Sequence, residues 1–369
     1  MQREKEIASD LLKSAGVEIN GSNKYDIKVF NEGFYKRVLA QGSLGLGESY
    51  MDNWWECEDL DEFFNRVLHA RLETKIRNWK ILPYLAKAII LNTGNYKRAF
   101  FIGKQHYDIG NNLYKAMLDK RMVYTCGYWK TANTLGDAQE AKLDLICKKV
   151  GLRPGMKVLD IGCGWGSFAK FAAEKYGVEV VGVTVSKEQA ELGSRLCNGL
   201  PVDIQLKDYR DIEGEFDAIV SIGMFEHVGY KNYRTYMKKV YSLLKDGGLF
   251  LLHTIGGNES SVATDPWINK YIFPNGLIPS VKQIGKSVEN LMVIEDWHNF
   301  GTDYDKTLMH WFNNFDSNWN KLKSDYDDRF YRMWKYYLLA SAGSFRARKN
   351  QLWQIVLSKH PSGGYRRIC

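Results

Sequence analysis

The sequence predicts an α/β fold, in which a doubly wound sheet follows a smaller, mainly helical N-terminal domain. Between residues 150 and 255, short apolar runs alternate with amphipathic segments, as is typical of strands and helices in a parallel sheet. Residues 1–105 instead have a helical pattern, interrupted at 20–23 and 42–55. A chain of 369 residues is long enough for two domains. We therefore predict a helical domain at residues 1–105 and an α/β domain at residues 106–369.

Five apolar runs are predicted to form consecutive strands of the sheet. They are KVLDI (157–161), VEVVGVTV (178–185), VDIQL (202–206), FDAIVSIG (216–223) and GLFLLHTI (248–255). The segments between them have the spacing of amphipathic helices, as in 167–176. Residues 291–297 and 351–358 add two predicted strands around a helix at 327–342, which gives seven strands. Residues 256–290 are expected to be an insertion.

Composition and charge narrow the functional classes. The formal net charge is +8 and the isoelectric point is about 8.9, which favours an anionic partner such as nucleic acid or an anionic membrane surface. The first residues lack the apolar core of a signal peptide, and no apolar run approaches the roughly 18 residues that span a bilayer. The six cysteines show no CxxC pairing, so we expect a reduced, cytosolic protein without a zinc site.

Basic residues are concentrated in two tracts that lack Asp and Glu. The first spans residues 74–105, and the second runs from Arg329 to Cys369. In the first tract, Trp79, Phe100 and Phe101 lie among the lysines and arginines. Basic residues mixed with aromatic ones bind nucleic acid or an anionic lipid surface, but a run of charges is also typical of an ordinary solvated helix face. At this point the sequence leaves these interpretations open.

The stretch VLDIGCGWGSF (158–168) is the most informative short motif. It places three glycines directly after a predicted strand that contains Asp160. A dinucleotide-binding G-x-G-x-x-G motif would need glycine at position 167, where this chain has Ser167. The shorter turn suits S-adenosylmethionine, which has a carboxylate and a ribose but no phosphate, and Asp160 is expected to face its ammonium group. The candidate binding residues of the turn are Gly162, Gly164, Trp165 and Gly166.

Other candidate cofactor-binding residues follow the second and third strands. The acid that usually ends the second strand of nucleoside-binding folds is missing, and Thr184 and Ser186 stand there instead. Gln189, one helical turn further on, is a neutral hydrogen-bonding group that can replace the acid. Two residues after the third strand and two before the sheet complete the set: Asp208, Tyr209, Tyr124 and Thr125.

Polar residues from distant segments are expected to meet beyond the carboxyl ends of the strands, where ligands bind in open parallel sheets. Glu226 and His227 follow the fourth strand, and His253 ends the fifth. Cys126 and Tyr304 come from segments before and after these strands. Each residue alone has an ordinary structural interpretation, such as a buried apolar thiol or a satisfied donor at a strand end. No spacing fits a metal site, and no Ser-His-Asp arrangement is evident.

Longer motifs extend over nearly the whole chain. They are GSLGLGESYMDNWWE (42–56), GKQHYDIGNNLY (103–114), YTCGYWK (124–130), VLDIGCGWG (158–166), VGVTVSKEQ (181–189), SIGMFEHVG (221–229), LLHTIG (251–256), DPWINKYIFPNG (265–276), EDWHNFGTDYDKTLM (295–309) and SFRARKNQLWQ (344–354). With these motifs the sequence resembles the cyclopropane-fatty-acyl-phospholipid synthases of the two-domain bacterial type. This family belongs to the class I, Rossmann-like methyltransferases, whose sheet has seven strands.

The resemblance implies that S-adenosylmethionine donates a methyl group to a cis double bond in a phospholipid acyl chain. It implies further that bound bicarbonate deprotonates the resulting carbocation and thereby closes a cyclopropane ring. The residues that match the bicarbonate site of the family are Cys126, Glu226, His253, the backbone of Ile255, and Tyr304. One position departs from the family pattern, because Ser341 stands where many members have cysteine. We assign Ser341 no catalytic role.

The predicted partners are an anionic phospholipid surface, met through the tract at 74–105, and a second copy of the chain in a homodimer. The expected location is cytoplasmic, at the inner face of the cell membrane. No nucleic-acid partner is predicted, because no recognition-helix, zinc-finger or RNA-binding motif is evident. Three alternatives remain: a methyltransferase that reduces the cation to a methyl branch, a nucleic-acid-binding methyltransferase-like protein, and a catalytically silent lipid-binding homologue.

Overall fold

The computed structural model describes residues 2–72, 110–361 and 363–368. These residues form two compact units. The described residues of the first unit lie within Met1–Leu91, Val262–Pro274 and Tyr304–Asn350. Those of the second unit lie within Asn92–Ser261, Asn275–Asp303 and Gln351–Cys369.

Helices and strands are labelled in chain order over the described residues. The α-helices are α1 (Gln2–Lys13), α2 (Gly33–Gln41), α3 (Ser43–Met51), α4 (Leu60–His69), α5 (Asn111–Met117), α6 (Leu135–Lys149), α7 (Ser167–Tyr176), α8 (Lys187–Leu196), α9 (Tyr233–Leu243), α10 (Pro266–Tyr271), α11 (Val281–Val288), α12 (Thr302–Leu322) and α13 (Asp328–Arg346). The strands are β1 (Lys28–Val29), β2 (Trp55–Glu56), β3 (Lys157–Ile161), β4 (Glu179–Thr184), β5 (Val202–Leu206), β6 (Phe216–Ile222), β7 (Leu244–Gly257), β8 (Val293–Asn299) and β9 (Asn350–Ser358).

The second unit is built on a seven-stranded sheet of order β5-β4-β3-β6-β7-β9-β8. Strands β5, β4, β3, β6 and β7 run parallel to one another, and the edge strand β8 is antiparallel to β9. Each of the seven predicted strands is present. The predicted helix at 167–176 is α7, with the same bounds, and the one at 327–342 corresponds to α13.

Apolar residues cover both faces of the sheet, as the continuous apolar runs predict for buried parallel strands. Because side chains alternate along a strand, Leu159 and Val158 of β3 point to opposite faces. Leu159 packs in a cluster with Met237 of α9, whereas Val158 packs in a second cluster with Phe168 of α7. The sheet is therefore a layer between helices.

The first unit is mainly helical and has an aromatic core. Its only strands among the described residues, β1 and β2, form a short antiparallel ribbon. Trp55 packs against Tyr50 with ring centroids 5.0 Å apart, and Trp267 packs against Tyr336 at 4.5 Å. Trp267 comes from α10 and Tyr336 from α13, so segments from late in the sequence complete the core that begins with α1–α4.

This interleaving differs from a single boundary at residue 105. The N-terminal part is helical as predicted, but 262–274 and 304–350 group with it because their aromatic faces are buried there. The predicted boundary itself lies outside the described residues, which omit 73–109. The same is true of nearly all of the basic tract at 74–105. Among the described helices, none is both long and apolar enough to cross a membrane.

Candidate active site

A cavity of about 180 Å³ lies at the carboxyl ends of β3, β4 and β6, within the second unit. Its wall contains the glycine turn after β3 and the segment 122–125. Most of the predicted cofactor-binding residues line it, namely Tyr124, Thr125, Asp160, Gly162, Gly164, Trp165, Thr184, Gln189, Asp208 and Tyr209. Gly166 and Ser186 do not line the cavity but occupy the N-cap positions of α7 and α8. The structure thus gathers residues that are distant in sequence around one cavity.

The glycine turn needs glycine for two different reasons. Gly162 and Gly164 have φ angles of +81° and +57°, in the left-handed region that side chains disfavour. A Cβ at Gly162 would lie 2.6 Å from Met224 Cγ, so a side chain there would collide with the protein. A Cβ at Gly164 would have no atom of the described residues within 4 Å, and this open space belongs to the cavity. A ligand can therefore reach the backbone at Gly164.

Asp160 is the penultimate residue of β3, beside this turn, and carries an acceptor without a hydrogen-bond partner among the described residues. Its side chain is 1% exposed, and Oδ2 has no hydrogen-bond partner among the described residues. Burial raises the pKa of Asp160 to about 7, and the positive charge of Lys142 opposes this rise. A buried acceptor without a partner is costly, so a cationic group of a ligand would stabilise it. This agrees with the predicted contact to the ammonium group of S-adenosylmethionine.

The residues after β4 replace the expected acid with a network of neutral groups. Thr184 Oγ1 donates to Gln189 Oε1 at 2.8 Å, which leaves the Nε2 group of Gln189 as the donor available to a ligand. The Ser186 hydroxyl accepts a hydrogen bond from the Gln189 backbone N–H and thereby caps α8. Ser186 therefore fixes the helix that carries Gln189, rather than lining the cavity itself.

Asp208 and Tyr209 lie in a short 3₁₀ turn after β5. Asp208 is 1% exposed, and its Oδ1 accepts from the backbone N–H of Arg210 at 3.0 Å. The Arg210 guanidinium also pairs with this oxygen, at 3.1 Å. Burial raises the pKa of Asp208, and the hydrogen bond from the Arg210 backbone opposes the rise. Tyr209 contributes a mostly buried ring to the same wall of the cavity.

Glu226 lies in a 3₁₀ turn that follows β6. Its Oε1 accepts from the backbone N–H of Ile255 at 2.7 Å, and its backbone carbonyl accepts from Leu277 N–H at 2.8 Å. The other carboxylate oxygen, Oε2, is buried and has no partner in the described part of the chain. Burial raises the pKa of Glu226, although the bond from Ile255 opposes this. The predicted Ile255 donor is thus engaged with Glu226 in this structure.

His253 lies in β7, directly opposite Ile222 of β6, and is 1% exposed. Gln354 Nε2 of β9 lies 3.3 Å from His253 Nδ1. When Nδ1 accepts this hydrogen bond, the proton of the neutral ring is on Nε2. That atom is buried and has no partner within the described residues. Burial lowers the pKa of His253 well below its ordinary value, so the ring is a neutral donor at physiological pH.

The remaining predicted catalytic residues are buried in different surroundings. Cys126 is fully buried, and its thiol donates to the carbonyl of Gly127 at 3.1 Å. Tyr304 belongs to the first unit, where its ring lies 4.6 Å from that of Phe345. His227 lines the cofactor cavity, and burial lowers its pKa to about 4. The structure therefore joins Glu226 to Ile255 of β7 by a hydrogen bond, and His253 lies two residues earlier in the same strand.

Two polar residues on α6 that were not predicted from the sequence support the cavity wall. Gln139 Nε2 donates to the backbone carbonyl of Thr125, and Lys142 Nζ donates to its Oγ1, both at 2.8 Å. Gln139 and Lys142 are three residues apart and therefore share one face of the helix. Both side chains are almost fully buried. The available signal was a lysine and a glutamine at helical spacing among apolar residues of LGDAQEAKLDLICKK.

These features define the class of the protein. Three features are typical of a class I S-adenosylmethionine-dependent methyltransferase: a seven-stranded sheet in which β9 runs antiparallel to the edge strand β8, a short glycine turn after β3, and a buried Asp160 oxygen without a partner among the described residues. No cluster of His, Cys, Asp and Glu in residues 2–72, 110–361 or 363–368 is arranged to hold a metal ion. Residues 95–355 match the family model described as mycolic acid cyclopropane synthetase, and the chain belongs to this family.

Individual relatives agree with this assignment. The chain is 55% identical, over 98% of its length and 94% of the relative, to cyclopropane-fatty-acyl-phospholipid synthase of Escherichia coli (strain K12). It resembles the solved cyclopropane synthase MmaA2 from Mycobacterium tuberculosis, with a TM-score of 0.67, 28% identity, and coverage of 70% of this chain and 98% of that one. It also resembles mycolic acid cyclopropane synthase CmaA1, solved with SAH and CTAB. The TM-score is 0.66 and the sequence identity is 32%, with coverage of 70% of this chain and 98% of that one. The resemblance stated from the sequence motifs is thereby confirmed.

Proposed function

We propose that this chain adds a methylene group from S-adenosylmethionine across the cis double bond of an unsaturated phospholipid acyl chain, forming a cyclopropane ring. The 55% identical Escherichia coli relative is named for this reaction. The observation in the chain itself that carries the proposal is a pair of buried atoms, Glu226 Oε2 and His253 Nε2, that have no partner among the described residues. One atom is an acceptor in the turn after β6 and the other is a donor in the neighbouring strand β7, and a small polar species can satisfy both kinds of group.

The cofactor cavity meets the needs of the methyl donor. When bound, S-adenosylmethionine supplies a methyl group on a positively charged sulfur, which is electrophilic enough to react with an alkene. Asp160 would attract its ammonium group, Gln189 would donate to its ribose, and the open space at Gly164 would admit it to the backbone. These residues hold the donor in place, which matters because an alkene is a weak nucleophile and reacts only at close range.

We propose that bicarbonate is the base. It has an O–H group to donate to Glu226 Oε2 and oxygens to accept from His253 Nε2–H, so the two unpartnered atoms fit it. When bound, it would supply a weak base at the point where a proton is lost on ring closure. Glu226 and His253 orient this base. Cys126, Ile255 and Tyr304 stay predictions as further contacts.

The product test uses vesicles of unsaturated phospholipid, S-adenosylmethionine and mass analysis of the acyl chains. A gain of one CH₂ supports cyclopropanation. A gain of CH₂ plus two hydrogens would mean that the cation is reduced to a methyl branch, and an unchanged mass would point to a silent lipid-binding homologue.

The variant Glu226→Gln tests the base site. Turnover should fall by about 10²-fold, as when a positioned acid–base group is lost, while affinity for S-adenosylhomocysteine stays unchanged. The exposed Glu259→Gln is the matched control and should keep full activity. Wild-type turnover should fall in bicarbonate-depleted buffer and return on adding bicarbonate. An enzyme indifferent to bicarbonate would require a side chain as the base.

We also propose that the chain works as a homodimer at the inner face of the cell membrane, with residues 1–105 towards the lipid and residues 106–369 carrying catalysis. The support is the family resemblance together with the net charge of +8, which favours an anionic surface. Analytical ultracentrifugation tests the oligomeric state, and a monomer at working concentration would contradict it.

A further inference from the structure

Lys142 is a buried cation in the wall of the cofactor cavity. Its side chain is 1% exposed and lines the cavity beside Thr125 and Asp160. Nζ donates to Thr125 Oγ1 at 2.8 Å, and this is its only hydrogen bond within the described residues. A hydroxyl satisfies one of the three N–H groups of the ammonium and does not neutralise its charge.

A second buried lysine on the same helix, Lys149, forms the kind of ion pair that Lys142 lacks. Lys149 is also fully buried, and its Nζ lies 3.1 Å from a carboxylate oxygen of Asp296. Buried charges are normally paired in this way, because an unpaired one loses its hydration without compensation. Lys142 has no such ion pair among the described residues, although it is as deeply buried.

The charged groups around Lys142 do not fill this role. Asp119 lies near enough to interact with it, but its two carboxylate oxygens accept the backbone N–H groups of Arg121 and Val123. Asp160, at the end of β3, is close enough to raise the pKa of Lys142 but makes no ion pair with it. The ring of His253, whose pKa burial lowers well below its ordinary value, adds no negative charge. No anion among the described residues is therefore in ion-pair contact with Lys142.

We propose that Lys142 binds the α-carboxylate of the methionyl part of S-adenosylmethionine, while Asp160 binds its ammonium group. The cavity wall thus carries one buried cation and one buried anion, without an ion pair between them, and an α-amino-acid zwitterion supplies the two opposite charges. The inference rests on the proposed cofactor and adds a binding residue to it. Burial lowers the pKa of Lys142 to about 8, so most of the side chain is charged at neutral pH.

The test compares two ligands by calorimetry. S-adenosylhomocysteine has the carboxylate and the ammonium, whereas 5′-methylthioadenosine lacks both. Lys142→Met should weaken S-adenosylhomocysteine by about 10- to 100-fold, as expected for loss of a charged hydrogen bond, and leave 5′-methylthioadenosine unchanged. The control Lys148→Met, at an exposed lysine of the same helix, should change neither ligand. Equal weakening of both ligands would indicate a structural role and overturn the proposal, as would unchanged binding of S-adenosylhomocysteine.

Two further measurements keep the proposal testable if Lys142→Met does not fold. Wild-type protein should bind the carboxamide analogue of S-adenosylhomocysteine at least about tenfold more weakly than the acid, and equal affinity would overturn the proposal. Lys142→Arg should bind S-adenosylhomocysteine more tightly than Lys142→Gln. If Lys142 variants instead raise the bicarbonate concentration needed for half-maximal turnover, with cofactor affinity unchanged, the lysine serves the base and the proposal fails. If wild-type protein binds no S-adenosylhomocysteine, the proposal that S-adenosylmethionine is the cofactor is itself contradicted.

Discussion

Asp160 is a residue whose ionisation should control cofactor binding. With its pKa raised to about 7 by burial, the carboxyl is ionised above that pH and takes up a proton as the pH falls through it. The neutral form no longer attracts an ammonium group. The pKa values of His227 and His253 are lowered by burial, so neither ring gains a charge near pH 7.

We therefore expect the affinity for S-adenosylhomocysteine to fall as the pH is lowered from about 7 to about 5, since Asp160 is protonated over this range, whereas Lys142, with a pKa of about 8, is already charged there. Asp160→Asn should bind more weakly than wild type above about pH 7, where the wild-type carboxyl is ionised, and its affinity should not fall further in acid. Calorimetry across the range checks both expectations, and 5′-methylthioadenosine, which has no ammonium group, should show no acid limb. An unchanged pH profile in Asp160→Asn would remove Asp160 from the cofactor contacts.

A substitution at Gly164 tests whether the cofactor approaches the backbone there, and a matched control measures the effect of backbone strain alone. Gly164→Val should abolish cofactor binding, because a branched side chain would occupy the open space that belongs to the cavity. The positive φ alone should cost about 1–2 kcal/mol of stability. Gly155→Val is the matched control, since Gly155 also has a positive φ and open space but lies outside the cavity wall. Thermal unfolding should show a similar loss in both variants, and only Gly164→Val should lose S-adenosylhomocysteine binding.

At the scale of helices, Gly343 fixes the approach of α13 to α4. A Cβ at this position would collide with the backbone carbonyl of Asp61 and with Phe64, and neither can move without shifting the helix. Gly343→Ala should therefore destabilise the protein by about 1–3 kcal/mol through overpacking. Gly285 of α11 has no described atom near its Cβ position, so Gly285→Ala should stabilise by up to about 1 kcal/mol. Opposite shifts of the unfolding midpoint check the pair.

The elements were predictable from sequence wherever the hydrophobic period was regular. The five consecutive strands β3–β7 and helix α7 follow directly from runs such as KVLDI and SFAKFAAEKY. Strand β7 begins at Leu244, before the predicted 248, because pairing with β6 extends it through a Lys-Asp-Gly-Gly segment with poor strand propensity. The start of such a strand depends on its pairing with a neighbouring strand, which a local sequence pattern does not show.

The part of the candidate site that lies in one short sequence motif could be predicted from the sequence. The glycine turn and Asp160 come from one continuous stretch, and the cavity forms around them. Lys142 and Gln139 were missed because their burial depends on the segment with Thr125 lying over α6. The hydrogen bond from Ile255 N–H to Glu226 could not be predicted from the sequence either, because it depends on the register of β6 against β7.

For the whole molecule, the predicted membrane contact rests on the tract at 74–105. Lys75, Arg77 and Lys80, changed together to Glu, should weaken binding to anionic vesicles, because each basic residue near the surface contributes about 1 kcal/mol. The effect should shrink at high salt, which screens exposed charges, and S-adenosylhomocysteine affinity should not change. Co-sedimentation measures the binding.

The control for this variant changes Lys24, Lys120 and Lys187, which are exposed, to Glu and so alters the net charge equally. Equal loss in both triple variants would mean that overall charge, and not this tract, attracts the membrane. If the first variant binds like wild type at low salt, the basic segment after Arg329 becomes the surface to test. If the protein instead co-sediments with DNA and not with vesicles, the alternative of a nucleic-acid-binding protein would be supported.

The order of strands in the sheet has a consequence for biosynthesis. Strand β9 lies between β7 and β8 in the sheet but is synthesised after both. On the ribosome, β7 therefore has an open edge for the whole time that α10–α13 are being made, and an open edge is a template for pairing with other chains. The same delay leaves His253 without Gln354, its partner from β9. The nascent chain can thus build its cofactor turn early, but the residue that we propose to orient the base is set only when β9 closes the sheet.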